Sequence, residues 1–210
     1  MGLYRVIEGN NSQIALWKVT ESEQELKDLT GLDLTNNHSY PRRRIERMVI
    51  RAILNQLNHF EPVNYHPNGR PYYSEGTPHI SISHANRMVA VGFCQNKSIG
   101  VDVELTSRDF KVVAHKYLTK KELEWINLDH QESLALAWCI KESVYKLPWK
   151  VNKCFTSDIN ILNLKDISSS GTISVDVIDL DITHHLELKY LFFDGFCLSW
   201  VLNDHQPAVD

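Results

Sequence analysis

Between Pro41 and Leu57 the apolar residues Ile45, Met48, Val49, Ala52, Ile53 and Leu57 recur at steps of three and four, which predicts an amphipathic helix with one buried face. Pro41 suits its first turn, and the Pro-containing stretch from Glu61 to Pro71 follows its end. The period then changes. Residues 79–83, 88–94 and 98–105 carry β-branched residues or alternation and are separated by the polar pairs Asn86-Arg87 and Asn96-Lys97, so they read as three successive strands. Helical character returns at Thr119-Lys120-Lys121-Glu122, which has the form of a capping box, and a further helix is expected over 132–147. Beyond Pro148 four more strands are expected, over 158–162, 171–180, 186–193 and 196–202, with Asp194-Gly195 as a hairpin turn. Helix followed by strands thus occurs twice. The fold class this predicts is α+β, with two similar halves in one chain at 1–98 and 99–210. A slight likeness between the segments Met88 to Cys94 and Tyr190 to Cys197 points the same way.

Composition narrows the class of protein. With 210 residues, 43% of them hydrophobic and 23% charged, the chain is of ordinary globular make-up. Its apolar runs fall far short of the roughly 20 residues a bilayer span needs. The N-terminus lacks a basic-then-apolar leader, so a cytoplasmic protein without membrane contact is expected. Net charge is −4, divided as +2 over residues 1–99 and −6 over 100–210, which argues against a general nucleic-acid binder. Cys94, Cys139, Cys154 and Cys197 form no C-x-x-C pair and are expected to be reduced, mostly buried thiols.

Three clusters could carry chemistry. In Ile99-Gly100-Val101-Asp102-Val103-Glu104 the period of two sends the valines to one face and Gly100, Asp102 and Glu104 to the other. Neighbouring carboxylates of this kind suit a hard divalent cation, with Gly100 leaving room for a substrate; the same pattern also describes a plain exposed strand face. Glu142 and Lys146 share a helix face four residues apart, which taken alone describes a surface ion pair. Arg42, Arg43 and Arg44 crowd a helix N-terminus whose dipole they oppose, which costs stability unless an anion is bound; with Arg47 they can equally be read as a solvated face. Ser83-His84 ends a strand without a G-x-S-x-G elbow, and neither a zinc pattern nor a glycine-rich nucleotide loop is present.

The order of the fragments is more telling than any one of them: Gly69-Arg70-Pro71, Ile80-Ser81-Ile82-Ser83-His84, Gly100-Val101-Asp102-Val103-Glu104, then Trp138-Cys139-Ile140-Lys141-Glu142-Ser143-Val144-Tyr145-Lys146. Over about Pro41 to Lys146 the chain resembles the 4'-phosphopantetheinyl transferases of the surfactin-synthetase-activating (Sfp) type. The resemblance implies that family's fold, a pseudodimer of two α+β halves working as a monomer. It further implies transfer of the 4'-phosphopantetheine arm from coenzyme A to a serine of an apo acyl or peptidyl carrier protein, as in a holo-[acyl-carrier-protein] synthase, with release of adenosine 3',5'-bisphosphate. On that resemblance Asp102, Glu104 and Glu142 hold Mg²⁺, or Mn²⁺, and Glu142 is also the general base. Lys146 neutralises the pyrophosphate and Lys141 assists. Arg43, helped by Arg42 or Arg44, binds the 3'-phosphate, Ser83 and His84 contact phosphates, and Arg70-Pro71 line the adenine pocket. The N-terminal half would thus bind nucleotide, and the C-terminal half would hold metal and catalytic helix.

Lys116-Tyr117-Leu118-Thr119-Lys120-Lys121-Glu122 resembles the family's carrier-contacting segment, with Lys in place of Arg and Leu in place of Phe. Two departures stand out. Residues 36–40 lack the lysines that many relatives carry before the first helix, and Leu147-Pro148-Trp149-Lys150 replaces the usual glycines after the last lysine. Two rival readings share these residues: a non-catalytic paralogue that binds coenzyme A or a carrier protein, and a metal-dependent phosphodiesterase. Keeping Asp102, Glu104, Glu142 and Lys146 in register argues against a pure binder.

Overall fold

The computed structural model describes residues 2–34, 40–164 and 167–204; the lysine-free stretch 36–39 and the end of the second expected half, 205–210, lie outside them. The chain opens with a hairpin, β1 (Leu3–Gly9) and β2 (Ser12–Lys18), followed by α1 (Glu23–Thr30) and α2 (Pro41–Gln56). A short ribbon of β3 (Asn64–Tyr65) and β4 (Pro71–Tyr72) leads to β5 (His79–Ala85), β6 (Met88–Cys94) and β7 (Ser98–Leu105). After a 3-10 turn come α3 (Ala114–Tyr117), α4 (Lys120–Trp125) and α5 (Gln131–Tyr145). The strands β8 (Ile159–Ile161), β9 (Ser170–Asp179), β10 (Ile182–Phe193) and β11 (Phe196–Asn203) close the chain. Among the described residues no helix is long and apolar enough to cross a membrane.

The helix expected after Pro41 and the one expected over 132–147 are α2 and α5, and the Thr119–Glu122 capping box forms with both of its reciprocal bonds. Asp194 and Gly195 both take positive φ, 44° and 78°, as a two-residue hairpin turn between twisted strands requires. The opening elements β1, β2 and α1 were not among the predicted ones. In β1 the burial follows no strict period of two, which explains why alternation does not reveal it.

The strands form two main antiparallel sheets, ordered β1-β2-β6-β5 and β7-β11-β10-β9-β8. Side-chain alternation divides the apolar residues among three cores. Odd positions of β2, such as Ala15 and Trp17, meet Met48, Val49 and Ile53 of α2. On the C-terminal side Leu136, Ile140 and Val144 of α5 meet Val175, Leu188 and Val201. Ile14, Leu16 and Ala90 of the first sheet pack on Val101, Val103 and Leu198 of the second, so a third core joins the two sheets. The structure is a mixed α/β fold with a helix against each sheet. Strand number and order differ between the sheets, and the two segments with a slight sequence likeness are not equivalent. Met88–Cys94 is one strand, whereas Tyr190 to Cys197 runs around the β10–β11 turn.

The sheet edges create the setting for chemistry. β5 and β7 are the edge strands of their sheets, and no backbone ladder joins them. They are tied by serine side chains instead: Val101 N donates to Ser81 Oγ at 3.0 Å, and Ser83 Oγ donates to Asp102 Oδ1 at 2.6 Å. α5 lies across the same edge so closely that a Cβ on Gly100 would come within 1.9 Å of the Ser143 carbonyl oxygen. Gly100 therefore serves helix-on-strand packing, not the space for a substrate that its place in the motif suggested.

Candidate active site

Asp102 and Glu104 project from β7 towards α5, and Val101 and Val103 fill the inter-sheet core, as a period of two demands. Asp102 is 4% exposed. Its Oδ1 accepts from Lys146 Nζ at 2.7 Å and from Ser83, while Oδ2 is buried with no hydrogen-bond partner. A buried carboxylate oxygen left unpaired is costly, and native structures leave few of them. Lys146 is further fixed by donating to Val101 O at 2.9 Å. Glu104 accepts from Arg108 at 2.7 Å and also from Trp138 of α5.

Like charge dominates the electrostatics here. Burial first, and the Asp102 charge second, raise the Glu104 carboxyl above its ordinary range against the pull of Arg108. The same two causes push Glu142 up to about 7, with Lys146 opposing. Glu142 and Lys146 line one end of a cleft of about 280 Å³ whose other walls include Arg70, Pro71, Ser81, Trp149 and Asn152. Burial holds the Arg70 guanidinium below the usual arginine range. The loop after α5 is pinned by Trp149 Nε1 donating to Val144 O at 2.7 Å and by a buried pair of Lys153 with Asp179.

Among the described residues no three His, Cys, Asp or Glu side chains are gathered into a ready-made metal cluster. The donors nonetheless suit a hard divalent cation. All are carboxylate oxygens, the Asp102 charge raises the proton affinity of Glu104 and Glu142, and Asp102 presents an orphaned oxygen.

Lys141 belongs elsewhere. Its ammonium is wholly buried and donates to Phe155 O at 2.8 Å, Ile159 O at 2.7 Å and Glu122 Oε2 at 2.7 Å. Three oxygens satisfy its three donors, so it is a packing element and not an assistant to the chemistry. Glu122 also accepts from Thr119 N and Ile161 N, so through Lys141 the capping box is locked to α5. Ser83 is likewise reassigned: its hydroxyl is committed to Asp102, whereas His84, next along the strand, turns towards α2.

The arginines at the start of α2 separate into different roles. The helix has no side-chain N-cap and no acidic residue in its first turn. Arg44 is tied to Glu23 of α1 by bonds of 2.7 and 3.0 Å, a helix-to-helix fork that removes it from the anion-binding set. Arg42 pairs with Glu46 at 2.9 Å, and Arg43 is exposed with its guanidinium 5.9 Å from the Tyr40 ring. His84 Nδ1 lies 3.3 Å from the same Glu46 oxygen. Arg42, Arg43 and His84 are not among the residues lining the cleft, whereas Arg70 and Pro71 share it with Glu142 and Lys146. Two residues of consequence escaped sequence reasoning. Arg108 carries no motif, and Glu46 was visible only as the i+4 partner of Arg42.

Comparison with known proteins accords with this geometry. Residues 98–201 match the family described as the 4'-phosphopantetheinyl transferase superfamily. A curated protein of Haemophilus influenzae named "Putative 4'-phosphopantetheinyl transferase" is 29% identical over 104 residues, a stretch covering 45% of this chain and 41% of that protein. The matched stretch is thus less than half the length of the curated relative.

Proposed function

From a chain whose residues 98–201 match the 4'-phosphopantetheinyl transferase superfamily, we propose an Sfp-type enzyme that moves the 4'-phosphopantetheine arm of coenzyme A to a serine of an apo carrier protein. The observation that carries this reading is the placing of Asp102, Glu104, Glu142 and Lys146 at the meeting of the two sheets, beside a cleft that runs to Arg70-Pro71. In this reading the halves form a pseudodimer within a monomeric, cytoplasmic protein.

The carrier serine oxygen forms a new bond to the phosphorus of the pantetheine phosphate as the anhydride P–O bond breaks, and adenosine 3',5'-bisphosphate leaves. The serine proton passes to Glu142, directly or through a water. Lys146, held in place by Asp102 and Val101 O, meets the charge that grows on the departing phosphate. Asp102, Glu104 and Glu142 would hold Mg²⁺ or Mn²⁺, which draws negative charge off the pyrophosphate. Arg43 with Arg42 and His84 would bind the 3'-phosphate, and Arg70-Pro71 would line the adenine pocket. The exposed Lys116, Lys120 and Lys121 offer a basic surface to an acidic carrier helix.

Intact-mass measurement of an apo carrier protein after incubation with this protein, coenzyme A and Mg²⁺ tests the proposal. A gain of about 340 Da that vanishes in EDTA is expected. No gain with carriers of fatty-acid, polyketide and peptide synthesis would reject the enzyme reading in favour of a binding paralogue.

A further inference from the structure

An acidic side chain sits within the basic cluster at the head of α2. Glu46 has a side chain only 15% exposed, whereas the partners it holds, Arg42 and His84, are 67% and 46% exposed. One oxygen serves both: Oε1 accepts from Arg42 Nε at 2.9 Å and lies 3.3 Å from His84 Nδ1. Arg42 belongs to α2 and His84 to β5, so Glu46 fastens two side chains from separate elements to one point.

We infer that Glu46 is a positioning residue for a nucleotide 3'-phosphate, a role that rests on the transferase reading and its assignment of Arg42, Arg43 and His84. An ordinary exposed ion pair contributes little, and a long arginine side chain two-thirds in solvent loses rotamer freedom when an anion fixes it. Glu46 removes that cost in advance by holding the Arg42 guanidinium before ligand arrives. It also engages Nδ1 of His84, which turns the Nε2 edge away from α2 and leaves it for a ligand. Arg43, one residue on from Arg42, is not paired through Glu46 and adds its charge from the exposed side.

Simple charge counting predicts the opposite behaviour, which makes the idea easy to break. If Glu46 only neutralised the cluster, its removal would tighten phosphate binding. If it positions Arg42 and His84, its removal weakens that binding despite the gain in net positive charge.

Titration calorimetry with adenosine 3',5'-bisphosphate and with adenosine 5'-monophosphate separates the two. Glu46→Ala should raise Kd for the bisphosphate about tenfold and leave the monophosphate within about twofold, the scale of one lost charge-assisted contact. Glu46→Gln keeps an acceptor oxygen and should lose about threefold, so the test survives if the alanine variant folds poorly. In turnover the same change should appear in KM for coenzyme A with kcat held, and not in KM for 3'-dephospho-coenzyme A. Tighter bisphosphate binding in both variants, or equal weakening of both nucleotides, would overturn the positioning role. Failure of the transferase reading looks different: the wild-type protein would transfer nothing from either donor, while the nucleotide titrations would still report on Glu46.

Discussion

Lys141 and Glu142 are adjacent on α5, both largely buried, yet their surroundings are opposite in kind. Lys141 finds three oxygens for three protons, and its partner Glu122 is itself bonded to Thr119 N and Ile161 N. Burial pulls the lysine down and Glu122 pulls it back, which leaves a closed, neutral network. Glu142 instead meets the like charges of Asp102 and Glu104, opposed by the cations Lys146 and Arg108, with one Asp102 oxygen unpaired. A satisfied pair holds elements together. A surplus of one sign, kept in place by a rigid helix and strand, is strain awaiting a ligand or a proton.

The sharpest way to break this contrast is to exchange the outcomes of substitution on its two sides. Glu142→Gln, or Asp102→Ala, should lower phosphopantetheine transfer by at least about a thousandfold, read as kcat/KM with saturating Mg²⁺; the unfolding midpoint should hold or rise in Glu142→Gln and fall in Asp102→Ala, which leaves Ser83 and Lys146 without their acceptor. Near-wild-type turnover in either variant would remove that residue from the mechanism. Lys141→Met should do the reverse, costing about 3–5 kcal/mol in urea unfolding because Glu122 is left buried and unpaired. Adding Glu122→Leu removes the orphaned charge but also the acceptor of Thr119 N and Ile161 N, so it should recover only part of that loss. A single Lys141→Met variant with normal stability and impaired transfer would return Lys141 to the active site.

The pH dependence of stability follows from the same difference. Glu142 rises from 4.5 to about 7 on folding, so the folded state prefers its protonated form. That preference is fully present below pH 4.5 and fades as pH rises through about 7, above which the ionised carboxylate is a penalty of ~3 kcal/mol. Glu104, shifted the same way, adds to the trend. Burial holds His59, His66 and His79 below the usual histidine range, which opposes this trend, so the difference between variants is the readout: metal-free Glu142→Gln should gain more melting temperature over wild type at pH 8 than at pH 5.5. Mg²⁺ added at pH 8 should restore stability by neutralising the carboxylates. An equal pH dependence of melting in wild type and Glu142→Gln without metal would deny the repulsion.

How far the sequence discloses this contrast depends on the reach of each interaction. Alternation along β7 places Asp102 and Glu104 on one face, and helical spacing puts Glu142 and Lys146 one turn apart, because both are local periods of the backbone. The Thr119–Glu122 capping box is legible for the same reason. Long-range partners are not. Lys141 meets a glutamate 19 residues back, Ser83 meets an aspartate 19 residues on, and Arg44 meets a glutamate 21 residues back, each by folding that no local period encodes. Gly100 shows the limit well: the motif suggests room for substrate, and only the packed helix reveals the Ser143 carbonyl against it. The first sheet was half missed because β1 and β2 lack clean alternation; β2 buries four residues in succession, between α2 on one side and the second sheet on the other.

The smallest expected effect repeats the contrast at a second pair of neighbours. Arg44 is closed by its two bonds to Glu23, whereas Arg43 lies open over Tyr40. Arg44→Ala should loosen α1 from α2 and lower the melting temperature, with affinity for coenzyme A unchanged. Arg43→Ala should leave melting unchanged and weaken coenzyme A about tenfold, the scale of one charge-assisted phosphate contact. Melting scans and calorimetric titration of the two variants in parallel check this. If Arg44→Ala were instead the variant to lose affinity, the fork to Glu23 would open on ligand binding, and hydrogen-bond closure in the free protein would cease to mark a purely structural arginine.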